Sequence, residues 1–304
     1  MKKGPDSNKA FALQLPRNSD LGFDLQKILV PPGKKIRLAK DYDPDYTAGF
    51  KDKAAVEEKL SQNIAALAKY QDALYAENSR ALLVLFQALD AAGKDSAIKN
   101  VMSGVNPQGC QVTSFKAPST EELDHDYLWR VHKALPARGM IGIFNRSYYE
   151  EVLVVRVHPE FLERQKLPSE ARDKGIWRRR FDQINAFEHY LAQNGIVLLK
   201  FFLNVSKAEQ KQRFLQRIDR PEKNWKFSID DVKERESWKA YQEAYQDCLS
   251  HTSTPWAPWF VVPADRKWFT RLAVSAVIVH ALKKLNPRYP RLSKEHQQAL
   301  REAR

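Results

Sequence analysis

Asp90, Gly93 and Lys94 stand in a short stretch, Asp90-Ala91-Ala92-Gly93-Lys94-Asp95-Ser96, that follows the apolar run 82–89. The order reads as strand, phosphate loop (Walker A type), helix start. A turn of small residues gathers backbone N–H groups at a helix N-terminus, where phosphate oxygens satisfy donors that have no partner within the helix. Lys94 adds a mobile positive charge, and Asp90 is placed to hold Mg²⁺ against bound phosphates. The match departs from the full signature at two places: Ala88 stands where Gly is usual, and Asp95 where Ser or Thr follows the lysine. An ordinary strand-to-helix turn with a surface lysine, and Asp90 as a helix N-cap, remain open on these residues alone.

A second set lies further on. The run 140–144 reads as a buried strand and delivers Asn145-Arg146-Ser147-Tyr148-Tyr149-Glu150 at its C-terminal end, the binding edge of a parallel sheet. Arg146 and Glu150, four apart, also fit a surface ion pair on a following helix. A third set, Arg213, Arg217, Arg220, Lys223 and Lys226, spreads across a Pro-containing segment of mixed polarity. Closing such cations over a polyphosphate excludes water and neutralises developing charge, as a lid does. A nucleic-acid patch or plain solubility is the alternative there.

The elements that position these sets follow from periodicity. Val56, Leu60, Ile64, Leu67, Tyr70 and Leu74 recur at helical spacing and predict an amphipathic helix that packs on the core or on a neighbouring subunit. Ile98, Val101, Met102 and Val105 give the helix after the loop one apolar face; a strand over 110–115 follows. Ser119 to Glu122 has the capping-box form and predicts a helix running towards Leu135, with His125 and His132 on one face but no third ligand nearby. A basic run, 172–180, enters a helix with Phe181, Ile184, Phe187 and Leu191 inward; a long buried strand spans 196–203, and Ser206 caps the next helix. A helix through Trp238, Tyr241, Tyr245 and Leu249, a last strand at 260–262 and a closing helix through Phe269 to Leu282 complete the pattern. Strands alternating with helices predict an α/β fold with a parallel sheet. The expected organisation is an extended or loosely packed N-terminal arm over 1–52, a main domain over 53–285 with a helical lid at about 207–235, and a frayed polar tail over 286–304.

With 304 residues, 43% of them hydrophobic, the chain has ample core for one large domain. Fifty Lys and Arg against 37 Asp and Glu leave a net charge of +13, which calls for a polyanionic partner: nucleic acid, an acidic membrane or a phosphate polymer. Two cysteines, Cys110 and Cys248, are too few for a disulfide framework or a four-sulfur metal site, and point to reduced thiols in the cytoplasm. No apolar run reaches membrane-spanning or signal length.

Four motifs in order, Asp90-Ala91-Ala92-Gly93-Lys94, Phe144-Asn145-Arg146-Ser147-Tyr148-Tyr149-Glu150, the 217–226 segment and Thr254-Pro255-Trp256-Ala257-Pro258-Trp259, resemble the polyphosphate kinase 2 family over about 56–282. The resemblance implies a three-layer α/β/α phosphate-loop kinase fold with a helical lid, similar to thymidylate kinase. It also implies phosphoryl transfer between inorganic polyphosphate and nucleotides with Mg²⁺, for which Mn²⁺ is a possible substitute. By position it makes Asp90 the magnesium and phosphate-orienting carboxylate, Lys94 the lysine on the transferred phosphoryl and Arg146 a second cation there. Ala91, Ala92, Gly93, Asp95 and Ser96 become the phosphate cradle. Arg178, Arg217, Arg220, Lys223 and Lys226 become polyphosphate-binding cations. Many members have Asp where this chain has Asn145, which as an amide is only a neutral ligand. The Asn-Arg-Ser-Tyr-Tyr-Glu version is similar to the class III branch, which accepts AMP as well as ADP, and implicates Glu150 in recognising the nucleotide. The expected partners are polyphosphate, AMP, ADP, ATP and other purine nucleotides, without nucleic acid or membrane, in a homo-oligomer (dimer or tetramer). Two alternatives are weighed: ATP as donor, disfavoured by Asp95 in place of a magnesium-binding hydroxyl, and a nucleic-acid-binding module, disfavoured by the lack of an aromatic-basic recognition motif.

Overall fold

The fold is built on five short strands, four of them apolar runs and one, at the edge, of mixed polarity. The computed structural model describes Leu13 and residues 23–304. The strands are β1 (Ala81–Gln87), β2 (Cys110–Ser114), β3 (Ile141–Asn145), β4 (Ile196–Asn204) and β5 (Trp259–Pro263), all parallel in the order β2-β3-β1-β4-β5. The principal helices are α1 (Ala54–Glu77), α2 (Lys94–Val101), α3 (Ile176–Gln193), α4 (Lys207–Asp219), α5 (Ile229–Glu234), α6 (Trp238–Thr252), α7 (Lys267–Leu285) and α8 (Lys294–Glu302).

Strand pleating sorts the core into two layers. Leu82, Val84 and Phe86 of β1 face the cluster that includes α1, α2 and α7, whereas Leu83 and Leu85 face the one that includes α3 and α6. Both faces of the sheet are thereby covered, which a parallel sheet requires and which explains why β1 is apolar throughout. The onward connections from the adjacent strands β1 and β3 leave towards opposite sides of the sheet, so the crevice for a ligand opens at their C-terminal ends. The three-layer α/β/α arrangement expected from the sequence is present. Among the described residues, no helix is long and apolar enough to cross a membrane.

Three expectations need correction. Residues 23–50, read as loosely packed, bury Phe23, Leu25, Ile28, Val30, Ile36, Leu38 and Tyr42. Leu29 forms an antiparallel bridge with Phe260, and Val261 N–H donates to the Ile28 carbonyl at 2.7 Å, so this segment covers the otherwise free edge of β5. The rest of the arm, residues 1–12 and 14–22, lies outside the described residues. The helix expected over 119–135 is two short ones, Thr120–Leu123 and Trp129–Ala134, because Asp126 turns back to accept from Leu128 N–H at 2.9 Å. The capping box at Ser119 and Glu122 is present. The tail is not wholly frayed: α8 forms there, capped by Ser293, with no buried residue. The helix from Val56 to Leu74 packs within the molecule, where Asn63 of α1 donates to Ser275 of α7 at 3.0 Å in a buried contact.

Candidate active site

Between β1 and α2 the backbone makes a tight turn. Ala91 has φ +60° and Gly93, the N-cap of α2, φ +105°. A left-handed alanine costs about 1–2 kcal/mol and persists because the loop is gripped from outside. The grip is Arg213 of α4, a buried side chain whose five N–H groups are all engaged. Its two terminal nitrogens donate to the carbonyls of Ala91 (3.0 Å), Ala92 (2.7 Å), Ala264 (2.5 Å) and Asp265 (3.2 Å), and Nε donates to Glu209 (2.8 Å). Gln210, one turn earlier on the same helix, donates to the Asp90 carbonyl at 2.9 Å. With the carbonyls held, the loop shape that gathers its N–H groups is fixed.

Lys94 folds back over this loop, its Nζ donating to the Ala88 carbonyl at 3.0 Å. Burial and then Arg146 push its ammonium below the ordinary lysine range, opposed by Asp90, Glu150 and Asp95. Arg146 reaches across from β3. Its backbone, at φ +64°, donates to the Phe86 carbonyl at 3.0 Å, and its guanidinium meets Asp90 Oδ1 at 2.9 Å. Asp90 is therefore no N-cap, and the alternative of a surface pair on one helix turn, Arg146 with Glu150, gives way to a pair that joins two strand tips. Beside it, Asn145 Nδ2 donates to Asp95 Oδ1 at 2.8 Å.

Glu150 sits half-buried on the 3₁₀ turn Tyr148–Val152. Burial raises its carboxyl above the ordinary value, against the pull of Arg146 and Lys94. The turn rests on a buried polar plate: Tyr148 and Tyr149 hydroxyls donate to Glu188 Oε1 at 2.7 and 2.8 Å, and Lys200 Nζ lies 2.6 Å from Glu188 Oε2. Burial depresses Lys200, with Glu188 opposing.

The phosphate loop, Lys94, Asn145 and Arg146 line a cleft of about 630 Å³. The whole cradle expected from the sequence, Ala91 to Ser96, lines it together with Asp90, Asn145, Arg146, Arg217, Lys223 and Lys226. Arg213, read from the sequence only as one of the lid set, lines it as well, and so do Lys116 and Lys267, which the sequence reading did not single out. Lys116 and Lys267 follow the C-terminal ends of β2 and β5, which is the position that the strand-edge rule marks. The cleft thus presents Lys or Arg at eight positions (94, 116, 146, 213, 217, 223, 226, 267) against Asp90 and Asp95. Arg217 is held by Asp231 at 2.9 Å and by the Lys226 carbonyl at 3.1 Å. Two expected cations lie outside the lining: Arg220 is exposed at the start of the Pro221–Lys226 turn, and Arg178 is exposed on α3, 3.6 Å from Asp182. Arg220 stands on extended backbone between α4 and that turn, and α3, which carries Arg178, contributes no residue to the cleft.

Glu150 lines two smaller cavities that adjoin the cleft. One, about 110 Å³, is acidic, with Asp90, Asp231 and Glu234. The other, about 270 Å³, has apolar walls from Phe115, Pro118, Leu123, Val154, Val155 and Phe161, and carries Lys116, Arg130, Arg146 and Arg164 with Glu150 and Glu151.

Among the described residues no group of three or more His, Cys, Asp or Glu could enclose a metal ion. His125 stacks on Trp129 (ring centroids 4.0 Å) and His132 packs edge-on to Phe187 (4.9 Å), both as exposed surface rings. What the cleft does offer is two carboxylates, Asp90 and Asp95, and the Asn145 amide. That sparse oxygen set fits Mg²⁺, which keeps several waters and takes its remaining ligands from substrate phosphates.

Comparison with known proteins adds the family context. The family described as Polyphosphate kinase 2 (PPK2) matches residues 50–290. An ADP-polyphosphate phosphotransferase of Rhodopseudomonas palustris is 50% identical over 265 residues, covering 86% of this chain and 90% of that protein. An AMP/ADP-polyphosphate phosphotransferase of Meiothermus ruber is 44% identical over 267 residues, covering 88% and 96%. The crystal structure of polyphosphate kinase 2 from Arthrobacter aurescens TC1 superposes with a TM-score of 0.80 at 40% identity, covering 88% of this chain and 93% of that one.

Proposed function

The chain belongs to the polyphosphate kinase 2 family, and from that premise we propose that it transfers the terminal phosphoryl group of inorganic polyphosphate to AMP and to ADP, giving ADP and ATP. The observation that carries this reading is the cleft's composition. Seven cations besides the loop-clamping Arg213 converge on one phosphate loop, more than a nucleoside triphosphate needs and well suited to a polymer with about one charge per phosphate.

The chemistry needs no covalent intermediate and no strong base, because the attacking group, an α-phosphate oxygen of AMP or a β-phosphate oxygen of ADP, is already an anion. It attacks the terminal phosphorus of polyphosphate in line, and the shortened chain leaves through the bridging oxygen. Lys94 and Arg146, beyond the C-terminal ends of the adjacent strands β1 and β3, neutralise the equatorial oxygens as charge spreads over them. The Asp90–Arg146 contact presets that arginine, and the loop N–H groups fixed by Arg213 cradle the donor. Mg²⁺, held by Asp90 with Asp95 or Asn145 and by phosphate oxygens, would supply further charge neutralisation. The apolar cavity of about 270 Å³ accepts the nucleoside, with Glu150 at its border. The same reading makes it a cytoplasmic homo-oligomer, dimer or tetramer; Cys110 and Cys248 are both unpaired, in accord with a reducing compartment.

A second reading, ADP as sole acceptor, is favoured by the name of the Rhodopseudomonas relative. Purified protein incubated with polyphosphate, Mg²⁺ and AMP, with no ATP added, separates the two. The proposal expects ADP first and then ATP by chromatography. ATP formation from ADP but nothing from AMP would establish the second reading, and no product from either acceptor would overturn both.

A further inference from the structure

The short helix α5 buries none of its residues. Six residues without a buried face have neither the length nor the packing to hold a place of their own, so polar ties at its two sides must set where it stands. On the cleft side Asp231 holds Arg217 at 2.9 Å. At the other end Glu234, the last residue of α5, gathers donors from two further elements: His158 Nε2 lies 2.5 Å from Oε1 and 3.0 Å from Oε2, and the Tyr241 hydroxyl of α6 donates to Oε1 at 3.1 Å. Arg235, the next residue, donates to Gln210 Oε1 at 2.6 Å and to the Lys207 carbonyl at 3.2 Å, both on α4. His158 comes from across the site. It caps the C-terminal end of the short helix Val154–Val157, which follows directly on the turn that carries Glu150. Val154 and Val155 of that helix wall the cavity of about 270 Å³, and Val154 also lines the one of about 110 Å³.

Resting on the reading of polyphosphate as donor and of the cavity of about 270 Å³ as the nucleoside's place, we propose that His158 is a positioning residue for the transfer. Through Glu234 it sets α5, and through Asp231 of α5 it sets the Arg217 guanidinium, so that filling the nucleoside cavity and placing a cleft cation are coupled. Charge gives the tie its purpose. Glu234 shares the cavity of about 110 Å³ with Asp90, Glu150 and Asp231, against Arg146 and Arg235. Arg146 is engaged by Asp90, and Arg235 by the two acceptors on α4. Four carboxylates so placed repel one another, and α5 carries two of them. An N–H donated to Glu234 at 2.5 Å is a short, charge-assisted contact that offsets this repulsion and holds the helix in. Without it α5 moves outward and takes with it Asp231, on which the placement of Arg217 in the cleft depends. His158 touches no reacting atom in this scheme; it acts through a helix that has no other link to the wall at Val154–Val157 among the described hydrogen bonds and ion pairs.

The test is steady-state kinetics of His158→Ala, His158→Gln and Glu234→Ala, with long-chain polyphosphate and ADP each varied at several fixed levels of the other. Wild-type turnover is measured first, since its absence would overturn the donor reading and the positioning role with it. Given wild-type turnover, the coupling predicts a KM for polyphosphate about fivefold lower at saturating than at low ADP. In His158→Ala that KM should become independent of ADP, and kcat should fall by about tenfold, the cost of a cation displaced from its working place. His158→Gln, whose amide nitrogen reaches Glu234, should recover most of both. Glu234→Ala should match His158→Ala, and the double variant should be no worse than either, because the two residues act as one tie. Wild-type kcat and coupling in His158→Ala would overturn the positioning role and leave the donor and acceptor readings standing. So would losses that add in the double variant, or a loss that tracks a lowered melting temperature and is not recovered by His158→Gln.

Discussion

Asp90, Lys94 and Arg146 illustrate how far residue types alone carry the argument. Asp90 and Lys94 are legible because small residues, an acid and a Gly-Lys pair occur together in few other contexts, and the structure places both at the cleft. Lys94→Ala and Asp90→Asn should each lower turnover by two orders of magnitude or more with the melting temperature little changed, because both groups serve charge rather than packing. Near-wild-type rates in either would remove the site assignment. Glu150 is open to two readouts. Replacing it by Gln should shift the ratio of AMP to ADP turnover more than it shifts the better of the two rates. Its burial also sets a pH dependence. A carboxyl raised above its ordinary value of 4.5 holds its proton longer in the folded protein than in the unfolded chain, so its stabilising contribution is complete below that value and is lost as pH rises through the folded one. The melting temperature of Glu150→Gln relative to wild type should therefore increase as pH is raised from about 4.5; a constant difference would show that the carboxyl is not raised. Arg213 shows the limit of such reading. Nothing in a polar helix marks one arginine as buried, because its carbonyl partners come from segments about 50 and 120 residues away.

Elements were read well where one period ran long and poorly where burial was scattered. Four of the five strands and the long helices follow from apolar runs and helical spacing, whereas residues 23–50 bury apolar side chains one loop at a time and offer no period to detect. The sequence also does not show what lies within a strand. Lys200 sits in the middle of the apolar β4, fully buried, with Glu188 of α3 as its partner. Such a pair adds little by being present but costs much when broken, since the remaining charge has no compensation. Lys200→Met should lower stability by about 3–5 kcal/mol in denaturant unfolding; a loss under about 1 kcal/mol would mean that Glu188 is neutral or solvated. The clamp of α4 on the loop is a matter of geometry as much as of charge. Arg213→Lys keeps the charge but has three donors where five are used. It should lower turnover at least tenfold without changing which acceptor is preferred, and wild-type turnover in that variant would contradict the role assigned to the clamp.

At the scale of the whole molecule, a net charge of +13 finds its explanation in where the cations gather. Charge alone left nucleic acid, membrane and phosphate polymer open; their convergence on one phosphate loop at the crevice between β1 and β3 selects the polymer. The fold supplies an edge at which the cation-lined cleft and the smaller, Glu150-bordered cavity adjoin beside the phosphate loop. The central claim is thus that this loop takes its phosphoryl group from polyphosphate rather than from ATP. The most direct measurement compares initial rates of ADP formation from AMP with polyphosphate or with ATP as donor, at equal phosphoanhydride concentration, with Mg²⁺ and across a range of salt. The account predicts the faster rate with polyphosphate, and at subsaturating polyphosphate a rate that falls steeply as salt rises. A rate supported by ATP and absent with polyphosphate would contradict it.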